Sequence, residues 1–180
     1  MPDHYWLGIF YYKEDSMFNI RNGSWETNSS SVHVLVIPKE TTITIPKKVI
    51  LYGGDFGWGE GTASPLDYVY QVCVDEGREQ LDRFFEYLKR KGVEEIHSPE
   101  LYWVEEEWCG EKHVYAENNP GYVDHSYEVP LDDMFFNEDL LDRFLFGEGS
   151  FVKTGNDNSD NCPKAEDYDP NIYDTIEKGN

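Results

Sequence analysis

No stretch of this sequence approaches the ~18 consecutive apolar residues of a membrane-spanning helix. The opening residues, MPDHYWLGIF, lack the basic region and long apolar core of a secretory leader. The expected location is the cytoplasm, of a bacterium or of an infected host cell, and neither property suggests a membrane partner. Cysteine is scarce: Cys73, Cys109 and Cys162 are odd in number and widely spaced, which suits neither a disulfide framework nor a CxxC metal site. Reduced, structural cysteines are expected. Sequons at Asn22 and Asn28 are read as chance in the absence of a leader. There is no G-x-S-x-G elbow, no H-E-x-x-H pair, no local cysteine-nucleophile signature and no internal repeat.

Positive charge is the other shortage. The 180 residues hold 15 Lys and Arg against 36 Asp and Glu, a net charge of -21. Aromatic residues reach 16%, unlike the aromatic-poor composition of a disordered acidic chain, so most of the sequence is expected to fold. The charge is uneven. Residues 1–93 carry 13 acids and 10 bases, a balance of -3, whereas residues 94–150 carry 16 acids against Lys112 and Arg143 alone, a balance of -14. Residues 151–180 carry 7 acids and 3 bases, or -4. Such a surface repels phosphate and anionic lipid and speeds encounter with basic proteins, so direct nucleic-acid binding is disfavoured. Solubility explains a net charge, but not a block with two bases.

Patterning predicts a single α+β domain with a mainly antiparallel sheet, one clear amphipathic helix and one shorter helix. Residues 1–150 are expected as the compact part, and 151–180 as an acidic tail, partly disordered or ordered by a partner. Residues 4–12, HYWLGIFYY, suit a buried strand with 16–21 pairing back, and Asn22-Gly23 suits a tight turn. SVHVLVIP is a further strand. In TTITIPKKVILYGG a strand over Thr42–Ile45 is interrupted by Pro46 and resumes at Val49–Tyr52. Ser64-Pro65-Leu66-Asp67 has the form of a capping box, yet YVYQVCV at 68–74 reads equally as helix or strand. The clear helix lies in DEGREQLDRFFEYLKRK, where Leu81, Phe84, Phe85 and Leu88 form one stripe and Gly92 closes a basic last turn. ELYWVEEEW and EKHVYAE predict a hairpin across Cys109-Gly110. Residues 118–130 read as loop, and Asn137 caps a short helix whose buried face is Leu140, Leu141, Phe144 and Leu145.

The glycine-rich run GGDFGWGEG at 53–61 lacks the GK[ST] ending of a phosphate loop and places Asp55 and Glu60 where phosphate would sit. A flexible loop presenting Phe56 and Trp58 as interface anchors is the expectation. His97, His113 and His125 lie among carboxylates, and Glu94–His97 has the E-x-x-H spacing of half a di-iron site, but the second copy is missing and Pro99 opposes a helix. No cofactor or metal is called for. The run NDNSDNCPKAEDYDPN at 156–171 resembles, around its DNCP core, the calcium-binding repeats of thrombospondin type 3. That resemblance implies calcium coordination, but the iterated D-x-D-x-D-G register is absent. Against an EF-hand loop, Cys162 stands at the glycine position and Tyr168 at the final acid. A solvated tail is therefore expected.

The function this composition implies is a non-enzymatic inhibitor that covers the basic, nucleic-acid-binding surface of another protein, such as a nucleic-acid enzyme or a toxin. Only charge and composition carry its likeness to acidic DNA mimics of anti-restriction or anti-CRISPR type. The expected contact surface is Glu105, Glu106, Glu107, Glu111 and Glu117 with Asp132, Asp133, Glu138, Asp139 and Asp142, assisted by Phe56 and Trp58. An immunity protein or antitoxin against a basic toxin would need the same electrostatics. A small enzyme or metal-binding protein built on the 53–61 loop and His97, His113 and His125 is the third reading.

Overall fold

The computed structural model describes residues 31–178, apart from the Trp108 side chain. The strand expected over 4–12, its pairing with 16–21 and the Asn22-Gly23 turn lie outside the described residues. In chain order the elements are β1 (Ser31–Pro38), β2 (Lys48–Ile50), β3 (Asp55–Phe56), β4 (Gly61–Ala63), α1 (Pro65–Glu76), α2 (Arg78–Lys91), β5 (Glu95–His97), β6 (Trp103–Trp108), β7 (Glu111–Ala116), β8 (Tyr122–Val123), α3 (Leu131–Phe136), α4 (Glu138–Phe146), β9 (Phe151–Asn156) and β10 (Tyr173–Lys178). Four strands form an antiparallel sheet in the order β10-β1-β9-β4. Three two-stranded pieces surround it: β2/β5 and β3/β8 are parallel, and β6/β7 is antiparallel. The chain is thus α+β, as its patterning implies, with α1 and α3 added to the expected helices.

Every residue of β1 is buried, which explains its unbroken apolar reading. Leu35 and Ile37 face the main core with Val152 and Ile176, while Val32, Val34 and Val36 face a smaller cluster on the opposite side. Residues 151–178, expected as a partly disordered tail, are built into the sheet. They supply two of the four sheet strands, because β9 and β10 flank β1 and satisfy its backbone on both edges. The polar residues that gave the segment its disordered composition belong to the connection between those strands. Thr42–Ile45 falls short of a strand, making only a bridge from Ile43 to Gly147, and pairing resumes at β2 beyond Pro46.

Residues 68–74 are helical. Ser64 accepts a bond from the Asp67 N–H at 3.5 Å and Pro65 occupies the first turn. All seven residues from Tyr68 to Val74 are buried, so α1 is a central helix enclosed along this span, with Gln71 its one buried amide, and no helical stripe was there to read. α2 is the amphipathic helix, burying Leu81, Phe84, Tyr87 and Leu88, while Phe85 is only half-buried. Gly92, at φ 104°, ends it and donates to the Lys89 carbonyl at 3.0 Å. Asn137 caps α4 through the Leu140 N–H at 3.3 Å, and Leu141, Phe144, Leu145 and Phe146 are buried beneath it.

Gly121 fixes how closely β8 approaches β3. A Cβ there would lie 2.3 Å from the backbone carbon and oxygen of Gly54, with no flexible side chain able to yield. Gly121→Ala is expected to destabilise the fold by about 2–3 kcal/mol, read as a lower urea midpoint at unchanged slope. An unshifted midpoint would mean that the two loops separate freely.

Candidate functional site

The acidic hairpin forms as its alternation implies. Cys109 and Gly110 take φ of 54° and 85°, both left-handed, which matches the tight turn that twists with its strands. In register, Glu105 faces Val114, Glu106 faces His113 and Glu107 faces Lys112. Cross-strand partners share a face, so Glu105 and Glu107 lie on one side of the ribbon, and Glu106 and Glu111 on the other. The ribbon stands outside the four-stranded sheet. Residues 111–115 are all exposed, as are Glu105 and Glu107, and only its base is anchored, through buried Ala116 and half-buried Trp103.

Lys112 is the one base on the ribbon, and it donates to Glu105 at 2.5 Å, a bond that raises the Lys112 pKa. Glu106 accepts from the Tyr115 hydroxyl and holds that phenol above its ordinary pKa. Glu107, Glu111 and Glu117 make no ion pair among the described residues. Val114 and Tyr115 are exposed beside them, as is Tyr102, so the ribbon offers apolar area as well as charge.

The acids of α3 and α4 stand differently. They meet the basic side of α2, which belongs to the near-neutral part of the sequence. Arg83 pairs with Asp132, Arg90 with Glu138 at 2.6 Å, and Lys91 with Glu138 at 2.9 Å and Asp142 at 2.7 Å. Asp139 pairs with Arg143 at 3.2 Å, and Asp142 also accepts from the Tyr87 hydroxyl at 2.5 Å. The hydrogen bond from Lys91 holds the Glu138 carboxyl below its usual range. Burial pulls the Lys91 ammonium down, but its bonds to Asp142 and Glu138 outweigh that and raise it. Asp133, exposed on α3, has no ion pair among the described residues. Charge segregated along the chain is therefore partly neutralised in space, and the signal for it was the run Lys89-Arg90-Lys91 closing α2. Asp142→Ala, which leaves the buried Tyr87 hydroxyl without its acceptor and Lys91 with Glu138 alone, is expected to cost about 1–2 kcal/mol. Asp139→Ala, at an exposed pair, is expected to cost under about 0.5 kcal/mol. Equal midpoints in urea for the two variants would contradict this division.

Part of the 53–61 run is sheet and not open loop: Asp55 and Phe56 pair with β8, and Gly61 begins β4 on β9. Phe56 is half-buried against the core, edge-on to Tyr68 at 5.5 Å between ring centroids, and so is not a presented anchor. Trp58 is 54% exposed, with its indole N–H fixed on Asp124 at 3.0 Å. His97 on β5, His113 on β7 and His125 after β8 sit on separate elements. His97 lies 3.5 Å from Glu95, and His125 contacts Tyr127 and Glu128. No group of three or more His, Cys, Asp or Glu converges as a ligand set among the described residues. All three cysteines are unpaired.

The calcium-like segment has its own structural account. Cys162 and Tyr168, the positions where it departs from a calcium loop, pack on Val32, Val34 and Val36 and cover the second face of the sheet. Its carboxylates cap local turns: Asp167 accepts from the Lys164 N–H at 3.0 Å and Asp169 from the Asn171 N–H at 2.8 Å.

Two polar clusters escaped sequence reasoning. Gln71, buried in α1, joins Asp75, Asn119 and Gly54. His33 and Lys178, both buried, meet at one end of the sheet beside Asp124. No helix among the described residues is long and apolar enough to cross a membrane. No known family model, no curated protein and no solved structure matches the chain.

Proposed function

We propose that the chain is a non-enzymatic acidic binding protein that occupies the basic, nucleic-acid-binding surface of another protein, with the β6–β7 ribbon as its contact element. The supporting observation is that this ribbon stands outside the four-stranded sheet with exposed residues on both faces, and that Glu107, Glu111 and Glu117 are outside any ion pair among the described residues. A ribbon charged on both sides suits a groove lined with Lys and Arg, where Glu107, Glu111 and Glu117 replace phosphates without breaking an internal ion pair, the Glu105–Lys112 pair standing apart from them. Asp132, Glu138, Asp139 and Asp142, already paired within the molecule, contribute less: breaking an internal pair to form an external one returns little net energy. Asp133 extends the charged area. Trp58 offers an exposed ring whose orientation is set by Asp124.

Immobilised protein, exposed to lysate at low and at high salt, tests this reading. A nucleic-acid-binding protein retained at low salt, eluted at high salt and displaced by added DNA or RNA supports it. Retention unaffected by salt or by nucleic acid overturns it.

A further inference from the structure

His33 and Lys178 are cross-strand partners in the β1–β10 register and project to the same side of the sheet. Both are buried, His33 at 0% and Lys178 at 4% exposure. The ammonium makes no salt bridge to a carboxylate among the described residues, which is unusual for a buried charge. Its nitrogen instead donates to the backbone carbonyl of Asp124 and lies 3.5 Å from that of His125. The imidazole is placed by Tyr68 of α1, whose hydroxyl lies 2.8 Å from Nδ1, and by the backbone of Gly57. Nε2 makes no full hydrogen bond. Thr154 of β9 flanks the ring on the other side.

We infer that His33 and Lys178 form a proton-operated latch on β10: taking up a proton at His33 places two cations side by side in a buried space and releases β10 from β1. The carboxylates nearby among the described residues, Asp124 and Glu128, offset only part of that repulsion. The Asp124 side chain is turned to the Ser31 N–H at 3.4 Å and the Trp58 indole, and Glu128 is held by His125 at 3.2 Å. His125, whose own carbonyl lies 3.5 Å from the Lys178 nitrogen, also disfavours a proton on His33. Release leaves the β1 edge without its partner strand while β9 and β4 remain paired.

Burial, reinforced by Lys178, holds the His33 pKa down to about 3, against an ordinary value of 6.5. Burial likewise lowers Lys178, with Glu128 and Asp124 offsetting part of it. The open form, with His33 hydrated, binds a proton below pH 6.5, whereas the closed form does so only near 3. Opening is therefore favoured progressively as pH falls through that window, and is unaffected above it.

Hydrogen exchange followed residue by residue, corrected for intrinsic rates, tests the latch between pH 7 and pH 4. Protection of β10 amides is expected to fall by up to tenfold per pH unit below 6.5 while β9 amides hold theirs, and to be flat in His33→Gln. Loss of protection in β9 and β10 together would overturn the latch, since His33 would then report only global unfolding. In Lys178→Met the His33 ring, followed by NMR, is expected to titrate at higher pH, closer to 6.5. An unmoved titration would equally overturn the proposal, and this readout does not require His33→Gln to fold.

Discussion

Replacing Asp75 by alanine is expected to destabilise the protein by about 3 kcal/mol, more than removal of either Asp142 or Asp139. Asp75 ends α1 half-buried, and its carboxylate is the node that ties the helix to the 117–123 segment. One oxygen accepts from Gln71 at 3.0 Å and from Asn119 at 2.7 Å, and the other from the Val123 N–H at 2.6 Å. Alanine leaves the Val123 amide without an acceptor and removes one of three hydrogen bonds from each amide side chain: Gln71 keeps Asn119 and Gly54, and Asn119 keeps Gln71 and Gly121. Each stranded donor costs about 1–3 kcal/mol, reduced where water reaches Asn119. Burial raises the Asp75 pKa, with bonds from Val123, Asn119 and Gln71 partly offsetting it. The folded state therefore takes up this proton at higher pH than the unfolded chain, so Asp75 adds stability as pH falls through that window. Urea titrations at pH 7 and pH 4 should show the gap between wild type and Asp75→Ala widening on acidification. A loss under about 1 kcal/mol, or a narrowing gap, would remove Asp75 from its place as the node.

The largest effect on binding is expected from the ribbon. Reversing Glu106, Glu107, Glu111 and Glu117 to lysine should weaken association with a basic partner by about 1,000-fold or more, taking about 1 kcal/mol for each lost charge pair. Reversal adds repulsion to that loss. The matching neutralisation of Asp132, Glu138, Asp139 and Asp142 should weaken association by under about tenfold, because these carboxylates already serve Arg83, Arg90, Lys91 and Arg143. That helix variant should lose stability, whereas the ribbon variant should keep its melting midpoint, since most of the ribbon's carboxylates support nothing beneath them. The two sets of substitutions thus separate a binding role from a structural one. Equal losses of affinity from both sets would mean that net charge, and not the ribbon, determines association.

How far the fold could be read depended on whether each pattern had a free face to display. α2 and α4 each turn one side to water, so their stripes and caps were legible, and the hairpin declared itself by alternation and a Cys-Gly turn. α1 is surrounded, so its seven buried residues in succession looked like a strand, and only Ser64 and Pro65 argued for helix. β10 was hidden for the opposite reason: Asp174, Glu177 and Lys178 diluted its apolar signal, though pairing with β1 supplies what its side chains lack. The acid block was visible by counting. What counting could not reveal is that the basic face of α2 folds back on Asp132, Glu138 and Asp142, because ion pairs between helices follow tertiary packing and leave no local spacing. Buried His33 and Lys178 were invisible for the same reason, lying far apart in sequence and adjacent only through strand register.

The central claim, that the ribbon takes the place of nucleic acid on a basic partner, is tested most directly by competition. A captured nucleic-acid-binding protein, loaded with a fluorescent DNA or RNA, is titrated with wild-type protein and with the Glu106, Glu107, Glu111 and Glu117 to lysine variant at fixed salt. The account predicts full displacement of the nucleic acid by the wild type, with an apparent affinity that falls as salt is raised, and no displacement by the ribbon variant. Formation of a ternary complex with the nucleic acid still bound, or displacement by the ribbon variant equal to that by the wild type, would contradict it.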